Sequence, residues 1–214
     1  MPVLRESVRR VALGAYRRLR GLKRDVQLLR WRARNLDRLV RARLAPDRDG
    51  DALARSVAEE LRREGIVIRS STELFRADPG LFAHVQTAAQ RLWADGRANE
   101  QASGPSTSSS DPSRGKEYKV SLLTQPLAAD DPFLQLALDR GVLSVAQRYL
   151  GLQPLLRAID LWWDRPTAGP AKETQLWHRD GDDLLSVKVF VYLNNVEQDG
   201  GPFCFIPQTH PLGS

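Results

Sequence analysis

A chain of 214 residues, with 42% hydrophobic and 27% charged residues, has the length and composition of one sizeable soluble domain with additional elements. No stretch approaches ~18 uncharged apolar residues and no apolar core follows a basic start, so we expect neither a membrane-spanning helix nor a secretory signal peptide. The single cysteine, Cys204, excludes an internal disulfide, which is compatible with the cytoplasmic location that we expect.

The net charge of +6 is distributed unevenly along the chain. Residues 1–50 hold 15 Lys/Arg and 5 Asp/Glu, whereas the remaining residues hold 17 Lys/Arg and 21 Asp/Glu. A strongly basic N-terminal arm therefore precedes a mildly acidic body. The charge of that body gives no reason to predict nucleic-acid binding.

The arm, residues 1–46, is predicted to form a long amphipathic helix. Its apolar or small residues recur at helical spacings, and arginines occupy most of the other positions. Pro46 and Gly50 predict the end of the helix. The residues that define the apolar stripe are Leu4, Val8, Val11, Ala15, Leu19, Leu22, Val26, Leu29, Ala33, Leu36, Val40 and Leu44.

A basic amphipathic pattern does not by itself identify the partner of this helix. We expect the arm to pack on protein, either on its own body or on a partner. Peripheral contact with an anionic membrane surface is the alternative, since a basic face and an apolar face suit that interface. The acidic residues Glu6, Asp25 and Asp37 disfavour a transit peptide.

The first part of the body is predicted to be mainly helical. Apolar periodicity predicts helices at 51–64, 78–95 and 132–151, with Gly65 and Gly151 ending the first and the last. Residues 96–116 are rich in Gly, Ser, Pro and Asn, which predicts a flexible loop.

The second part of the body is predicted to be rich in strands. Together with the helices before them, these strands indicate an α+β chain that ends in a β-barrel or sandwich. A turn is predicted at 197–201, where the sequence is Glu-Gln-Asp-Gly-Gly. The strand candidates are 66–68, 155–163, 175–177, 186–196 and 203–206.

One of the three histidines has a carboxylate at a spacing that suits a metal site. His178 and Asp180 lie two residues apart, so in an extended segment both side chains point to the same side. Two nitrogen ligands and one carboxylate on one face suit Fe(II) in enzymes that activate dioxygen. The pair alone is a weak signal, since an ordinary histidine and a surface aspartate explain it more simply.

We predict that another histidine, His84, is a surface or packing residue.

The surrounding segment resembles the phytanoyl-CoA dioxygenase family. Residues 176–210 read LWHRDGDDLLSVKVFVYLNNVEQDGGPFCFIPQTH. In that family a His-x-Asp pair closes one strand, a long strand and an Asn/Asp-Gly turn follow, and a further strand ends in Pro-Gly-Ser/Thr-His. Here the last motif is Pro207-Gln208-Thr209-His210, with Gln in place of the usual Gly. The resemblance spans residues 50–214 and leaves out the arm.

The resemblance implies a double-stranded β-helix, or jelly roll, with helices packed outside it. It implies Fe(II) held by His178 and Asp180, and 2-oxoglutarate as co-substrate for hydroxylation of an aliphatic carbon in a small molecule. Lys119 is similar to a lysine that contacts 2-oxoglutarate, although a solvated strand lysine is an alternative. Phe190 is similar to an aromatic residue of the co-substrate pocket, although we favour the role of a core phenylalanine for it.

The chain departs from the family pattern in one important respect. The family has a second histidine ligand and then a 2-oxoglutarate-binding arginine, tens of residues after the last motif, whereas this sequence ends at Ser214. We therefore expect a C-terminally incomplete jelly roll. A truncated, catalytically inactive or partner-binding protein is one alternative function. A metal-dependent cupin-like enzyme that does not use 2-oxoglutarate is another.

Overall fold

The computed structural model describes seven helices, two strands and two short 3-10 turns. The residues it describes are 22, 25–44, 51–103, 118–165, 169–171, 173–180 and 184–210. In chain order the elements are α1 (25–34), α2 (Leu36–Leu44), α3 (Ala52–Glu64), α4 (Ser71–Leu74), α5 (Leu81–Ser103), β1 (Lys119–Ser121), α6 (Pro132–Ala137), α7 (Arg140–Leu150) and β2 (Trp162–Asp164), with 3-10 turns at Glu173–Gln175 and Gln198–Gly200.

Local signals explain where α3 begins and ends. The Asp51 side chain accepts a hydrogen bond from the Ala54 amide, which satisfies one of the unpaired donors of the first turn. Gly65 ends the helix with a φ of 80°, and its N–H donates to the Leu61 carbonyl. The helix predicted at 51–64 is confirmed.

Helix α7 begins and ends in the same manner, and it packs against α3. The Asp139 side chain accepts hydrogen bonds from the Gly141 and Val142 amides, and Gly151 follows the helix with a φ of 68°. Buried side chains form the contact between the two helices. They are Ala54, Val57 and Val145.

A second core joins α4, α5 and α6. Its buried members are Phe75, Leu81, Val85, Ala89, Phe133 and Leu136. Val191 and Leu193 pack against this cluster from the other end of the chain, and the Gln86 side chain donates to the Leu193 carbonyl at 2.9 Å. The segment that contains Val191 is therefore attached to the helical core.

Strands β1 and β2 form the one sheet among the described residues. They pair antiparallel, with Lys119 opposite Asp164 and Ser121 opposite Trp162. Neither of the predicted strands 186–196 and 203–206 is present as a strand in the described part of the chain, and residues 173–175 form a 3-10 turn. A strand is assigned from its pairing with a neighbour, and these segments lack such pairing there. The jelly roll stays a prediction.

Within segment 186–196, residues 190–193 nevertheless have the side-chain alternation of a strand. Val191 and Leu193 face the helical core, whereas Phe190 and Tyr192 are half exposed. One face of the segment is thus packed, and the other carries aromatic side chains at the surface.

Helix α5 extends beyond the end predicted for it. It continues to Ser103, so the first residues of the predicted loop 96–116 are helical, while 104–117 lie outside the described residues. Good helix formers follow Gly96, among them Ala98, Gln101 and Ala102. Their helix propensity outweighs the cost of a single glycine.

The described residues of the arm, 22 and 25–44, are helical apart from Asn35, and the remainder of the arm lies outside the described residues. Only Asn35 interrupts the helical assignment, and the Leu39 amide still donates to the Asn35 carbonyl at 2.9 Å. Arg38 attaches the arm to the body through two hydrogen bonds with the backbone of Gln153. In the described part of the chain, no helix is long and apolar enough to cross a membrane.

Candidate metal site

The structure brings His178 and Asp180 together. The distance between His178 Nε2 and Asp180 Oδ1 is 3.6 Å, and the two side chains are 44% and 48% exposed. Metal–ligand bonds of about 2.1 Å that meet at a right angle place two ligand atoms about 3 Å apart. A small inward movement of either side chain would therefore suit a shared metal ion.

The other ring nitrogen of His178 sets its tautomer. Nδ1 lies 2.7 Å from the Leu176 carbonyl oxygen, and a carbonyl can only accept a hydrogen bond. Nδ1 is thus the donor, and in the neutral ring Nε2 carries a lone pair directed toward Asp180. Metal-binding histidines often have this arrangement, in which one ring nitrogen binds the metal and the other donates a hydrogen bond to a backbone carbonyl.

A lysine lies on the far side of the carboxylate. Lys188 Nζ is 2.6 Å from Asp180 Oδ2, whereas Oδ1 faces the imidazole. The hydrogen bond from Lys188 is the largest effect and holds the pKa of Asp180 below its ordinary value. Burial is the second largest effect and raises this pKa, whereas the charges of Lys188 and His178 lower it. Asp180 is therefore a carboxylate at neutral pH, with one oxygen available beside His178.

Tyr118 positions the segment that leads to His178. Its side chain is buried, and its hydroxyl lies 2.7 Å from Thr174 Oγ1 and 3.3 Å from Glu173 Oε2. The Leu176 amide then donates to the Glu173 carbonyl at 3.0 Å, which closes the 3-10 turn immediately before the pair. The sequence alone does not reveal this role of Tyr118, since Thr174 lies more than fifty residues away in the chain.

Lys119, the residue predicted to contact 2-oxoglutarate, lies on β1. Its Nζ is 4.7 Å from the centroid of the Trp162 ring on β2, which is a cation–π contact. The ammonium group therefore rests on an aromatic partner of the neighbouring strand. Its contact with 2-oxoglutarate stays a prediction.

Phe190, predicted to line the co-substrate pocket, stacks on Phe203. The ring centroids are 4.5 Å apart, and Phe190 is 57% exposed. Tyr192 completes this aromatic group, because its hydroxyl accepts a hydrogen bond from the Phe203 amide at 2.9 Å. The exposure of Phe190 does not fit the favoured role of a core phenylalanine.

The Pro-Gln-Thr-His motif contacts the C-terminal end of α3. His210 Nε2 donates to the Arg62 carbonyl and the Gln208 amide donates to the Glu64 carbonyl, both at 2.9 Å. Two carbonyls that the helix leaves unpaired are satisfied in this way. His210 thus has a structural contact away from the pair, and His84 is exposed on α5.

Gln208 occupies a conformation that favours glycine. Its φ is 62°, in the left-handed region, and it stands where the resembling family has Gly. The backbone at Gln208 therefore has a conformation that glycine adopts at lower cost than glutamine.

The described residues do not include a third ligand beside the pair. No group of three or more His, Cys, Asp or Glu side chains suited to a metal occurs within 22, 25–44, 51–103, 118–165, 169–171, 173–180 and 184–210. The pair is thus a two-ligand arrangement that a further ligand would have to complete.

Comparisons of the chain with protein-family models, with curated proteins and with solved structures found no match. The function must therefore be inferred from the residues and their geometry.

Proposed function

We propose that His178 and Asp180 are two ligands of the Fe(II) centre in a 2-oxoglutarate-dependent dioxygenase of the phytanoyl-CoA dioxygenase type. The substrate would be a small molecule that is hydroxylated at an aliphatic carbon. One observation carries this proposal: Nε2 of His178 and Oδ1 of Asp180 converge at 3.6 Å while Nδ1 is bonded to a backbone carbonyl.

The chemistry of the two donors supports Fe(II). One imidazole nitrogen and one carboxylate oxygen form two-thirds of the facial ligand set used by non-haem iron oxygenases. In the neutral form of His178, its Nε2 lone pair and the Asp180 carboxylate could both bind a cation placed between them. When bound, the iron supplies the oxidising chemistry with 2-oxoglutarate and dioxygen, and the protein holds and orients the reactants.

The remaining residues have supporting roles in this proposal. Lys188 partly neutralises Asp180 from the side away from His178, and Tyr118 holds the preceding turn in place. Lys119 would contact a carboxylate of 2-oxoglutarate, and Phe190 would form an apolar wall of the co-substrate pocket. A second histidine would complete the set of protein ligands.

Metal titration tests the ligand assignment. Co(II), which follows Fe(II) in the order of ligand affinity, is added to the whole chain and binding is followed by calorimetry. Because each residue supplies one donor, His178→Ala and Asp180→Asn should each weaken binding by at least about 10-fold. His84→Ala is the matched control, since it removes an exposed imidazole from α5. Equal effects of all three variants would contradict the assignment.

Succinate formation tests the reaction. The protein is incubated with Fe(II), 2-oxoglutarate and dioxygen, and the His178→Ala variant is treated in parallel. Because a second histidine is needed to complete the ligand set, we expect succinate from a chain that carries this histidine and its loss in the His178→Ala variant. Metal binding without succinate would contradict the dioxygenase proposal.

A catalytically inactive or partner-binding protein is the second candidate function. The two-ligand arrangement in the described part of the chain favours it, because two ligands hold a metal more weakly than three. Weak Co(II) binding together with absence of succinate would support this candidate. Tight metal binding without succinate would instead favour a cupin-like enzyme that does not use 2-oxoglutarate.

A further inference from the structure

The described part of the arm carries a narrow apolar seam with a heptad spacing. Successive seam residues are separated alternately by four and three positions, which is the a and d pattern of a coiled coil. Leucine occupies every d position, and the a positions hold Val, Ala and Val. We define the seam as Leu22, Val26, Leu29, Ala33, Leu36 and Val40.

The seam lies opposite the face that docks on the body. Trp31 is buried, and Arg38 bonds to the Gln153 backbone. In the heptad that places Leu29 at d, both Trp31 and Arg38 occupy f, which points away from a and d. Docking on the body therefore leaves the seam on the outside of the protein.

Every seam residue is exposed. Leu29 is 64% and Leu36 is 61% exposed, and the smaller Ala33 is exposed as well. A continuous line of exposed leucine and valine side chains is costly in water, and such apolar patches mark contact surfaces. The seam thus requires a cover.

The residues beside the seam indicate what covers it. The flanking e and g positions hold both signs of charge, with Asp25 and Arg32 at g and Arg30 and Asp37 at e. In a parallel pair of helices, each g residue faces the following e residue of the other helix. Asp25 would face Arg30 of a second copy in this register.

The second heptad repeats this complementarity. Arg32 at g would face Asp37 at e of the other helix, with the signs reversed relative to the first pair. The third e and g positions, Leu39 and Leu44, are both apolar and would extend the contact. Valine at a with leucine at d also favours two parallel strands.

We propose that a second copy of this chain covers the seam, and that the two arms form a parallel coiled coil. The symmetry closes with two copies, because the same face of each arm is used. The bodies lie on the outer f faces and do not obstruct the contact. An anionic membrane fits less well, since Asp25 and Asp37 flank the narrow stripe on opposite sides and would be repelled.

The seam is short, so the dimer should be of moderate strength. Six seam positions fall before Arg43, which occupies the next d position and ends the apolar pattern. We expect a dissociation constant of about 1–100 μM, in the range of weak specific association. The helix is already ordered by its contact with the body, which reduces the entropy cost of pairing.

Sedimentation velocity of the whole chain over a concentration series tests self-association. Leu29→Asp places a charge in the seam and should raise the dissociation constant at least about 100-fold. Arg34→Asp is the control, because residue 34 is exposed at b, outside the seam and its flanks. We expect the control to associate much like the wild type. A wild-type chain that stays monomeric above about 300 μM would overturn the proposal.

Charge exchange tests the parallel register and does not depend on a folding defect. Arg32→Asp would place two acids together, Asp37→Arg would place two bases together, and each should raise the dissociation constant by about 3- to 10-fold. The double variant Arg32→Asp/Asp37→Arg restores opposite charges only in a parallel pair and should recover most of the wild-type affinity. Failure of this rescue would overturn the parallel arrangement.

Vesicle binding separates the proposal from its main rival. Vesicles of phosphatidylcholine with phosphatidylserine are added to the wild type and to Leu29→Asp, and co-sedimentation is measured. A chain that is monomeric in solution and binds these vesicles through Leu29 would establish a membrane surface as the partner and overturn the dimer. Dimerisation with no dependence on Leu29 would overturn the seam as its contact.

Discussion

Lys188 and His178 contact opposite sides of one carboxylate, with Lys188 Nζ 2.6 Å from Asp180 Oδ2 and His178 Nε2 3.6 Å from Asp180 Oδ1. The ammonium group supplies positive charge to the same residue that we propose as a ligand. Its effect on a metal bound at Oδ1 is therefore repulsive at short range. A substitution at Lys188 measures this effect.

Lys188→Met should tighten Co(II) binding by about 3- to 10-fold at low ionic strength, because it removes a cation from the neighbourhood of the metal. The gain should shrink as salt is added, since both side chains are about half exposed and are screened by ions. Calorimetric titration at two salt concentrations measures both effects. Weaker binding in the variant would instead indicate that Lys188 orients the carboxylate.

Tyr118→Phe should lower the free energy of unfolding by about 1 kcal/mol, because it removes the hydroxyl contact with Thr174 while the buried ring remains. Urea denaturation measures the change. Tyr192→Phe is the control, since it removes an equivalent hydroxyl at the half-exposed surface. We expect a smaller loss for the control because water can replace the lost partner.

The two variants should also differ in metal affinity. The turn held by Tyr118 ends at Gln175, and only Leu176 and Trp177 separate it from His178, so its loosening should weaken Co(II) binding several-fold. Tyr192→Phe leaves that turn intact. Unchanged metal affinity in Tyr118→Phe would show that the hydroxyl contact does not position the pair.

Gln208→Gly should change stability only slightly, with an expected gain of about 0–1 kcal/mol. Relief of the left-handed conformation contributes about 1–2 kcal/mol, whereas the greater freedom of glycine in the unfolded chain costs about 0.4–1 kcal/mol. Urea denaturation measures the balance. The Gln208→Ala variant keeps the strain and should show no gain, and a gain equal to that of glycine would contradict this explanation.

The stabilising effect of Glu73 should depend on pH. Hydrogen bonds from the Ser70 amide and then from the Ser70 hydroxyl hold the pKa of Glu73 below its ordinary value. A carboxyl group whose pKa is lowered on folding contributes stability above its unfolded pKa, and this contribution is lost as the pH falls through its folded pKa.

Glu73→Gln should therefore loosen the start of α4 at about pH 7 and loosen it less at about pH 3, where more of the wild-type carboxyl is protonated. Amide hydrogen exchange of residues 70–75 at both pH values measures this local opening. Ser70→Ala removes the other half of the capping box and serves as the comparison. An equal effect of Glu73→Gln at both pH values would contradict a role for the ionised carboxylate.

The sequence by itself determined several helix ends of this protein, although the single helix predicted at 132–151 is divided into α6 and α7. Helix α3 begins at Asp51 and ends before Gly65, and α7 ends before Gly151, because capping and left-handed glycine act between residues that are close in the chain. The spacing of His178 and Asp180 likewise predicted that they can share a side. The composition around Gly96 predicts that α5 ends at residue 95, whereas the helix continues to Ser103 because of the helix propensity of the residues after Gly96.

Only the tertiary structure decided the relationships between distant segments. Tyr118 meets Thr174, and the seam of the arm is free because Arg38 binds Gln153 on the opposite face. These contacts join residues far apart in the chain, and their free energy depends on packing that no local pattern specifies. The seam is exposed because the opposite face of the arm helix contacts the body. The apolar spacing alone would be the same if the body covered the seam or if a partner did.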